Sequence, residues 1–325
     1  MERENAQLLP PPPSYVPPPR DPSWTPPSAP DAKPTGSRAA TVVAVLVLIA
    51  LTASVAGWIW TRNGDDAGPA PAAFANPTQG LRDAADATRN VSSARAAISF
   101  DIEGGLGSAR GELEGQFDIG RFIGTTKGSV ARGGRKVGAE ARFAGDKAWI
   151  RFTGDVDTTA VLPAGTSWVG GSIDDFNTQG VLSDPQNMFA VVDVLYGVTS
   201  AEAGGGGSEG GVAVRRYHVV IDLDKAAAGL DAGRAAALKG AINLYSTDGE
   251  VTVEADVAVD GDGLVRAIDV EGTATNTDVF SDLSTMTLGY HGHYDRFNED
   301  VAAPEAPPAD QIADLSDVDL ESLTS

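Results

Sequence analysis

The sequence has no cysteine, only 3 histidines in 325 residues, and 24 lysines and arginines against 45 aspartates and glutamates. Each shortage removes a class of protein. Without cysteine there is no disulfide scaffold, no thiol nucleophile, no Cys-ligated zinc or iron-sulfur centre, and no anchor on an acylated cysteine. A formal net charge of -21 argues against nucleic acid as a partner, because such a site needs cations to displace counterions from phosphates. There is no P-loop and no dinucleotide fingerprint. Gly206-Gly207-Ser208-Glu209-Gly210 satisfies G-x-S-x-G, but it lies in a glycine-rich stretch, Gly204 to Gly211, expected to be a flexible loop. A nucleophile elbow needs a strand before it and a helix after it. His291 and His293 share one strand face with Asp295, a two-ligand geometry that zinc could use. That face reads as the polar, solvent side, His218 is the only other histidine, and surface histidines are the expectation. Asp260 and Asp262 lack the roughly twelve-residue loop closed by glutamate that calcium favours, and read as a hairpin turn. No cofactor, metal or enzymatic activity is expected.

What is present is unevenly distributed. Of 20 prolines, 12 fall between Pro10 and Pro34. Proline lacks the amide hydrogen and fixes φ, so residues 1–40 are expected to form a disordered, polyproline-like arm, able at most to dock a cytoplasmic reader of proline-rich segments. Residues 41–60, TVVAVLVLIALTASVAGWIW, carry no charge, proline or amide side chain. At about 1.5 Å per residue this run reaches roughly 30 Å, the thickness of a bilayer's hydrocarbon core, and predicts a transmembrane helix. A cleaved signal peptide ending near Ala73-Phe74-Ala75 is the rival, but the run is too long and that site too distant. Lys33 and Arg38 before the span against Arg62 after it favour a cytoplasmic N-terminus, placing the rest outside the cytoplasm in the cell envelope. A linker follows at 61–77, then a folded domain at 78–302. The stretch 303–325 has acidic residues and no basic one, and reads as a disordered tail, with a short amphipathic helix over 310–323 as the alternative.

Period-two alternation fills the folded part. In 96–103, Ala96, Ile98, Phe100 and Ile102 oppose Ser99, Asp101 and Glu103; in 251–259, Val251, Val253, Ala255, Val257 and Val259 oppose Thr252, Glu254, Asp256 and Ala258. Similar segments span 110–119, 121–131, 136–143, 147–152, 214–223, 264–274 and 284–297. About nine strands with one wet face each predict an antiparallel sheet covered on a single side. Helices are expected over 78–95, over 186–197 after Asp184-Pro185, and over 225–239 with Asp224 as N-cap and Gly240 as stop. The fold class is therefore α+β: a curved antiparallel sheet packed on a few helices. Gly111, Gly115, Gly124, Gly128 and Gly292 fall in register with the apolar side chains of the strands. Either close packing fills those positions or they leave room for an apolar ligand.

Several of these segments carry a resemblance. Asp184-Pro185 opening an apolar helix, then Arg216-Tyr217-His218-Val219-Val220-Ile221-Asp222 before a second helix, resembles the LolA-like lipid carriers of actinobacterial envelopes, the LppX and LprG group. The hairpin from Val257 to Arg266 and the closing strand from Leu288 to Phe297 before Ala303-Pro304 are similar to that family's C-terminal half. The resemblance covers roughly 80–304. It implies a half-open β barrel closed by helices over an apolar cavity that takes acylated lipid. The family's lipobox cysteine is missing, and the span at 41–60 stands in its place as the link to the membrane. The apolar positions expected to line such a cavity are Leu113, Phe117, Phe122, Met188, Val192, Leu195, Tyr217 and Leu288. The expected function is noncatalytic binding of acylated lipid at the envelope. The competing expectation is an interaction or signalling protein with a Pro-rich docking arm and no lipid.

Overall fold

The structure, a computed structural model, describes residues 68–104, 107–155, 158, 162–178, 189, 191–235, 238, 252–274 and 286–318. The arm at 1–40 and the apolar run at 41–60 lie outside the described residues. Among the described residues no helix is long and apolar enough to cross a membrane.

Twelve strands form one sheet. The first group is β1 (Ser93–Gly104), β2 (Gly107–Asp118), β3 (Ile123–Arg132), β4 (Arg135–Ala144), β5 (Lys147–Gly154) and β6 (Trp168–Ser172). The second is β7 (Val198–Glu209), β8 (Val212–Asp222), β9 (Thr252–Asp260), β10 (Val265–Ala274) and β11 (Met286–Asp295), with β12 (Ile312–Asp314) last. Each group is an antiparallel meander, and the two are joined where β1 pairs with β11, so that the sheet runs β12-β6-β5-β4-β3-β2-β1-β11-β10-β9-β8-β7. Among the described residues the helical pieces include α1 (Pro77–Arg89), α2 (Ile173–Thr178), a 3-10 helix (Val192–Gly197) and α3 (Leu223–Ala228).

The alternation written in the sequence is the alternation of burial. In β9, Val253, Ala255 and Val257 are buried while Thr252, Glu254 and Asp256 are exposed. Tight turns keep the register. Gly133-Gly134 and Gly210-Gly211 take positive φ between β3 and β4 and between β7 and β8, a backbone that only glycine adopts without strain. The β9 to β10 turn is held by Asp260, whose Oδ1 accepts the backbone N–H of Asp262 and of Leu264, each at 2.9 Å.

α1 starts where its chemistry allows. Asn76 accepts the Gln79 N–H as N-cap, Pro77 occupies the first turn, and Leu81, Ala84, Ala85 and Thr88 form the buried stripe. Thr88 is bound on both sides: its hydroxyl donates to the Ala84 carbonyl at 2.7 Å and accepts the Val265 N–H at 2.8 Å, which fixes the helix to β10.

Several expectations are corrected by the structure. The sheet has three strands more than the nine expected, because β6, β7 and β12 are short or poor in β-branched residues and form by pairing with a better neighbour. Gly204 to Glu209 is part of edge strand β7 and not a flexible loop, since β8 supplies its hydrogen-bond ladder. The first helix stops at Arg89, short of residue 95, and Ser93–Arg95 join β1. The third helix is capped by Asp222, not Asp224, and ends at Ala228 with Gly229 as C-cap, so the expected run to 239 is broken. Of the helix expected at 186–197, residues 192–197 are 3-10.

The two flanks of the domain also differ from expectation. Within the linker, Phe74 stacks on Tyr217 with ring centroids 5.3 Å apart, and its N–H donates to the Tyr217 hydroxyl at 3.0 Å. The C-terminal stretch, expected to be a disordered tail, takes a fixed path to Val318. Arg121 reaches the Val301 carbonyl, Arg142 the Glu305 carbonyl, and Ile312–Asp314 pair in parallel with β6. Val301, Ala313, Leu315 and Val318 are buried, which is why an acidic segment is held.

Candidate functional site

Cross-strand register lays the inner face out in rows. One row runs from β8 to β5 through Tyr217, Val257, Ile268, Gly292, Ile98, Leu113, Gly128, Ala139 and Phe152. The next runs Val219, Ala255, Val270, Tyr290, Phe100, Gly111, Val130 and Val137. Beyond it, Ile102 pairs with Leu288 and Ala109. Every one of these residues is apolar or tyrosine, so the face has no internal hydrogen-bond demand beyond its hydroxyls.

Most of the expected lining residues come together, as core. Leu113, Phe117, Val192, Leu195 and Tyr217 are all buried in one cluster, and Phe122 packs against its edge. Phe117, Phe122 and Phe143 form an edge-to-face trio with centroids 5.2 to 5.9 Å apart. Phe122 reaches it from the β2 to β3 turn, at a positive φ of 54°. The backbone of Leu288 lies in β11 opposite Ile102, and Met188 lies outside the described residues.

The glycines that suggested a hollow are filled. A Cβ on Gly124 would lie 2.5 Å from Phe117 Cδ2, and one on Gly128 would lie 2.5 Å from Leu113 Cδ1. At Gly111 the obstacle is the Phe100 ring, and at Gly292 it is Ile268 Cγ2 at 3.2 Å. Large neighbours fold across the glycines, so the close-packing alternative holds at these positions and the ligand-space alternative does not. Any room for an apolar ligand must lie elsewhere on the face. The residues that the sequence reading passed over are Phe100, Ile102 and Tyr290. They point inward by register yet are only half-buried. Their signal was the alternation itself, which marks them as inward-facing but says nothing of what covers them.

A buried ionic knot ties the helical segments of the cover to one another. Asp193 of the 3-10 helix, 6% exposed, accepts from Arg89 of α1 at 3.0 Å and pairs with Arg234. Arg234 also stacks on the Tyr196 ring, whose hydroxyl donates to Asp86. Nearby, Tyr294 is fully buried and stacks at a tilt on Phe189 with centroids 5.5 Å apart; burial pushes its hydroxyl well above the ordinary phenol range.

The histidines weighed for metal binding fall on the outer face. His218 pairs with Asp256 and His291 with Asp269, each at 3.1 Å. His293 is 24% exposed, more covered than a surface histidine. Ser208 lies on β7, pairing with Ala213 across the hairpin and followed by no helix. Among the described residues no group of three or more His, Asp or Glu is arranged to hold a metal.

No family model matches the chain, and no curated protein matches it. Solved structures similar to it include LprF from Mycobacterium bovis, at 12% identity, with 70% of this chain and 95% of that one covered and a TM-score of 0.40. Lipoprotein LppX of Mycobacterium tuberculosis is 18% identical over 70% of this chain and 97% of that one, with a TM-score of 0.35. A DUF1329 family protein from Desulfovibrio piger is 8% identical over 70% and 95%, with a TM-score of 0.22. LppX is also one of the proteins for which the group resembled by the sequence motifs is named.

Proposed function

We propose that residues 68–318 form an extracytoplasmic module that binds acylated lipid on the inner face of the sheet, without catalysis, and that the run at 41–60 holds it to the cell membrane with the N-terminus in the cytoplasm. The observation that carries this reading is the state of the inner face at one end. Where α1, the 3-10 helix and α3 pack, Leu81, Leu195 and Ile221 are fully buried. Toward the other end Phe100, Ile102 and Tyr290 stay half-exposed on the same apolar face. Aromatic and aliphatic side chains left half-wet along a sheet face lose hydrophobic stabilisation, on the order of 25 cal/mol per Å² of apolar surface, that an acyl chain would restore. The extracytoplasmic placement rests on the charge flanking 41–60 and the length of that run. Of the similar structures, LppX is itself described as a lipoprotein. The apolar positions Leu113, Phe117, Phe122, Met188, Val192, Leu195, Tyr217 and Leu288 would then act as the wall behind the bound chain.

The test is native mass spectrometry with lipid extraction on purified residues 63–325, followed by fluorescent-lipid titration of the Ile102→Asp variant. Copurifying acyl lipid, with titratable binding lost in the variant, supports the reading. A lipid-free protein that also binds no added acyl lipid would sink it and leave the envelope interaction protein. Reporter fusions at Ser325 check the orientation independently: an active cytoplasmic reporter there would reverse it.

A further inference from the structure

The β7 to β8 hairpin extends past the end of β9 and lies back over the outer face. Its turn backs onto His293 of β11, since a Cβ on Gly210 would stand 3.6 Å from His293 Nε2. At its base, Val214 forms a second apolar cluster with Ala258 and Ala267, separate from the main core, at 0%, 1% and 8% exposure. Around His293 every charge is already matched. Glu209 of β7 pairs with Arg216 of β8, Arg95 of β1 holds Asp295 of β11 through two hydrogen bonds, and Arg266 of β10 pairs with Asp260 at 2.6 Å. The imidazole sits within this set without joining it. Its Nδ1 is 3.8 Å from Glu209 and its Nε2 4.0 Å from Asp295, and Nε2 is buried with no hydrogen-bond partner.

We propose that residues 206–213 form an acid-released flap, closed over His293 and the Val214, Ala258 and Ala267 cluster while His293 is neutral, and lifted from the outer face when His293 gains a proton. The three guanidiniums and three carboxylates around the ring sum to zero, so a protonated ring leaves the cluster with a net positive charge on a side chain only 24% exposed. Both carboxylates facing the ring are engaged by arginine, which leaves them poor partners for it. Burial accordingly pushes His293 below the ordinary imidazole value, with Arg95 and Arg266 adding to the push and Asp295 and Glu209 opposing it. The direction of the linkage follows from this. The closed flap binds fewer protons than the open one, so closure is complete above the ordinary imidazole value and weakens as pH falls from that value toward the lower one of the closed state.

The chain supplies a hinge for this movement. The β7 to β8 pairing is irregular between Ala203 and Gly206, and the strand there is Gly204-Gly205-Gly206-Gly207. Nothing lies within 4 Å of where a Cβ on Gly205 would be. Glycine gives the backbone the freedom to pivot, and bulges weaken the local ladder. Opening would uncover an apolar patch beside three arginines, a surface presented only in acid.

Hydrogen exchange of the full chain in mild detergent, at about pH 7.5 and about pH 5.5 with intrinsic rates normalised, tests the proposal. Amides of 206–213 are expected to lose protection severalfold at the lower pH, while β9 and β10 keep theirs. In His293→Gln the protection of 206–213 should be the same at both values. An unchanged wild-type flap, or the same loss in His293→Gln, overturns the proposal. Should His293→Gln leave the flap open at both values, the NMR titration of His293 in the wild type decides. Ring signals that titrate below about 6.5 together with those of the flap support it, and titration at or above that value overturns it.

Discussion

Replacing Gly124 with alanine measures whether the inner face is filled or hollow at its glycines. Gly124 lies on β3 opposite Phe117 of β2 and Phe143 of β4. The added Cβ would stand 2.5 Å from Phe117 Cδ2 and 3.0 Å from Phe117 Cα, and nearer still to the Gln116 carbonyl oxygen. Carbon atoms rest at about 3.5 Å or more, so the overlap with the ring alone is about 1 Å. The ring cannot retreat freely, because it is wedged between Phe122 and Phe143. The carbonyl cannot rotate away either, because it belongs to the ladder. Overpacking in a tight core costs about 1 to 3 kcal/mol, and an obstacle made of backbone places this site at the upper end, about 3 kcal/mol. For a domain of this size each kcal/mol moves the melting temperature by about 2 to 4 °C, so Gly124→Ala should melt about 6 to 12 °C lower. Gly120→Ala is the control, since only Asp118 Oδ1 at 3.8 Å lies near its Cβ, and it should melt with the wild type. Thermal unfolding followed by circular dichroism gives both values. A Gly124→Ala protein melting within about 2 °C of the wild type would refute the packing argument and reopen the hollow at the glycines.

Three other perturbations probe different parts of the fold. Asp193→Ala leaves Arg89 and Arg234 without their shared carboxylate in a buried setting, and should cost about 3 to 5 kcal/mol in urea denaturation; a loss under about 1 kcal/mol would show that water reaches the knot. Thr88→Val keeps the shape of the side chain but removes the acceptor of the Val265 N–H, so a loss of about 1 to 3 kcal/mol is expected, and faster exchange of that amide should accompany it. Asp222 caps α3, and its carboxyl is held below the ordinary range by hydrogen bonds from the Lys225 side chain and backbone. Its contribution is therefore complete above the ordinary aspartate value and is lost as pH falls through the depressed one. Asp222→Ala should cost about 0.5 to 2 kcal/mol at neutral pH and become indistinguishable from wild type in acid.

The sequence by itself determined the class of this fold. Period-two alternation is a local property: a strand such as Thr252–Asp260, with valine and alanine on one side and acid on the other, can satisfy itself only at an interface between core and water. The same holds for α1, whose apolar stripe from Leu81 to Thr88 is set within a few residues. What the sequence left open depended on residues far apart in the chain. β7 and β12 carry weak strand signals and exist because β8 and β6 offer them a ladder, across a hairpin in one case and about 140 residues in the other. The fate of the glycines was decided the same way. Gly124 and Gly128 read as missing side chains until β2 is laid beside β3, when Phe117 and Leu113 occupy the space. His293 looked like any residue on a wet face, and it is covered only because a hairpin from elsewhere in the chain folds back over it. Local pattern fixes which way a side chain points, and only the tertiary arrangement decides what it meets there.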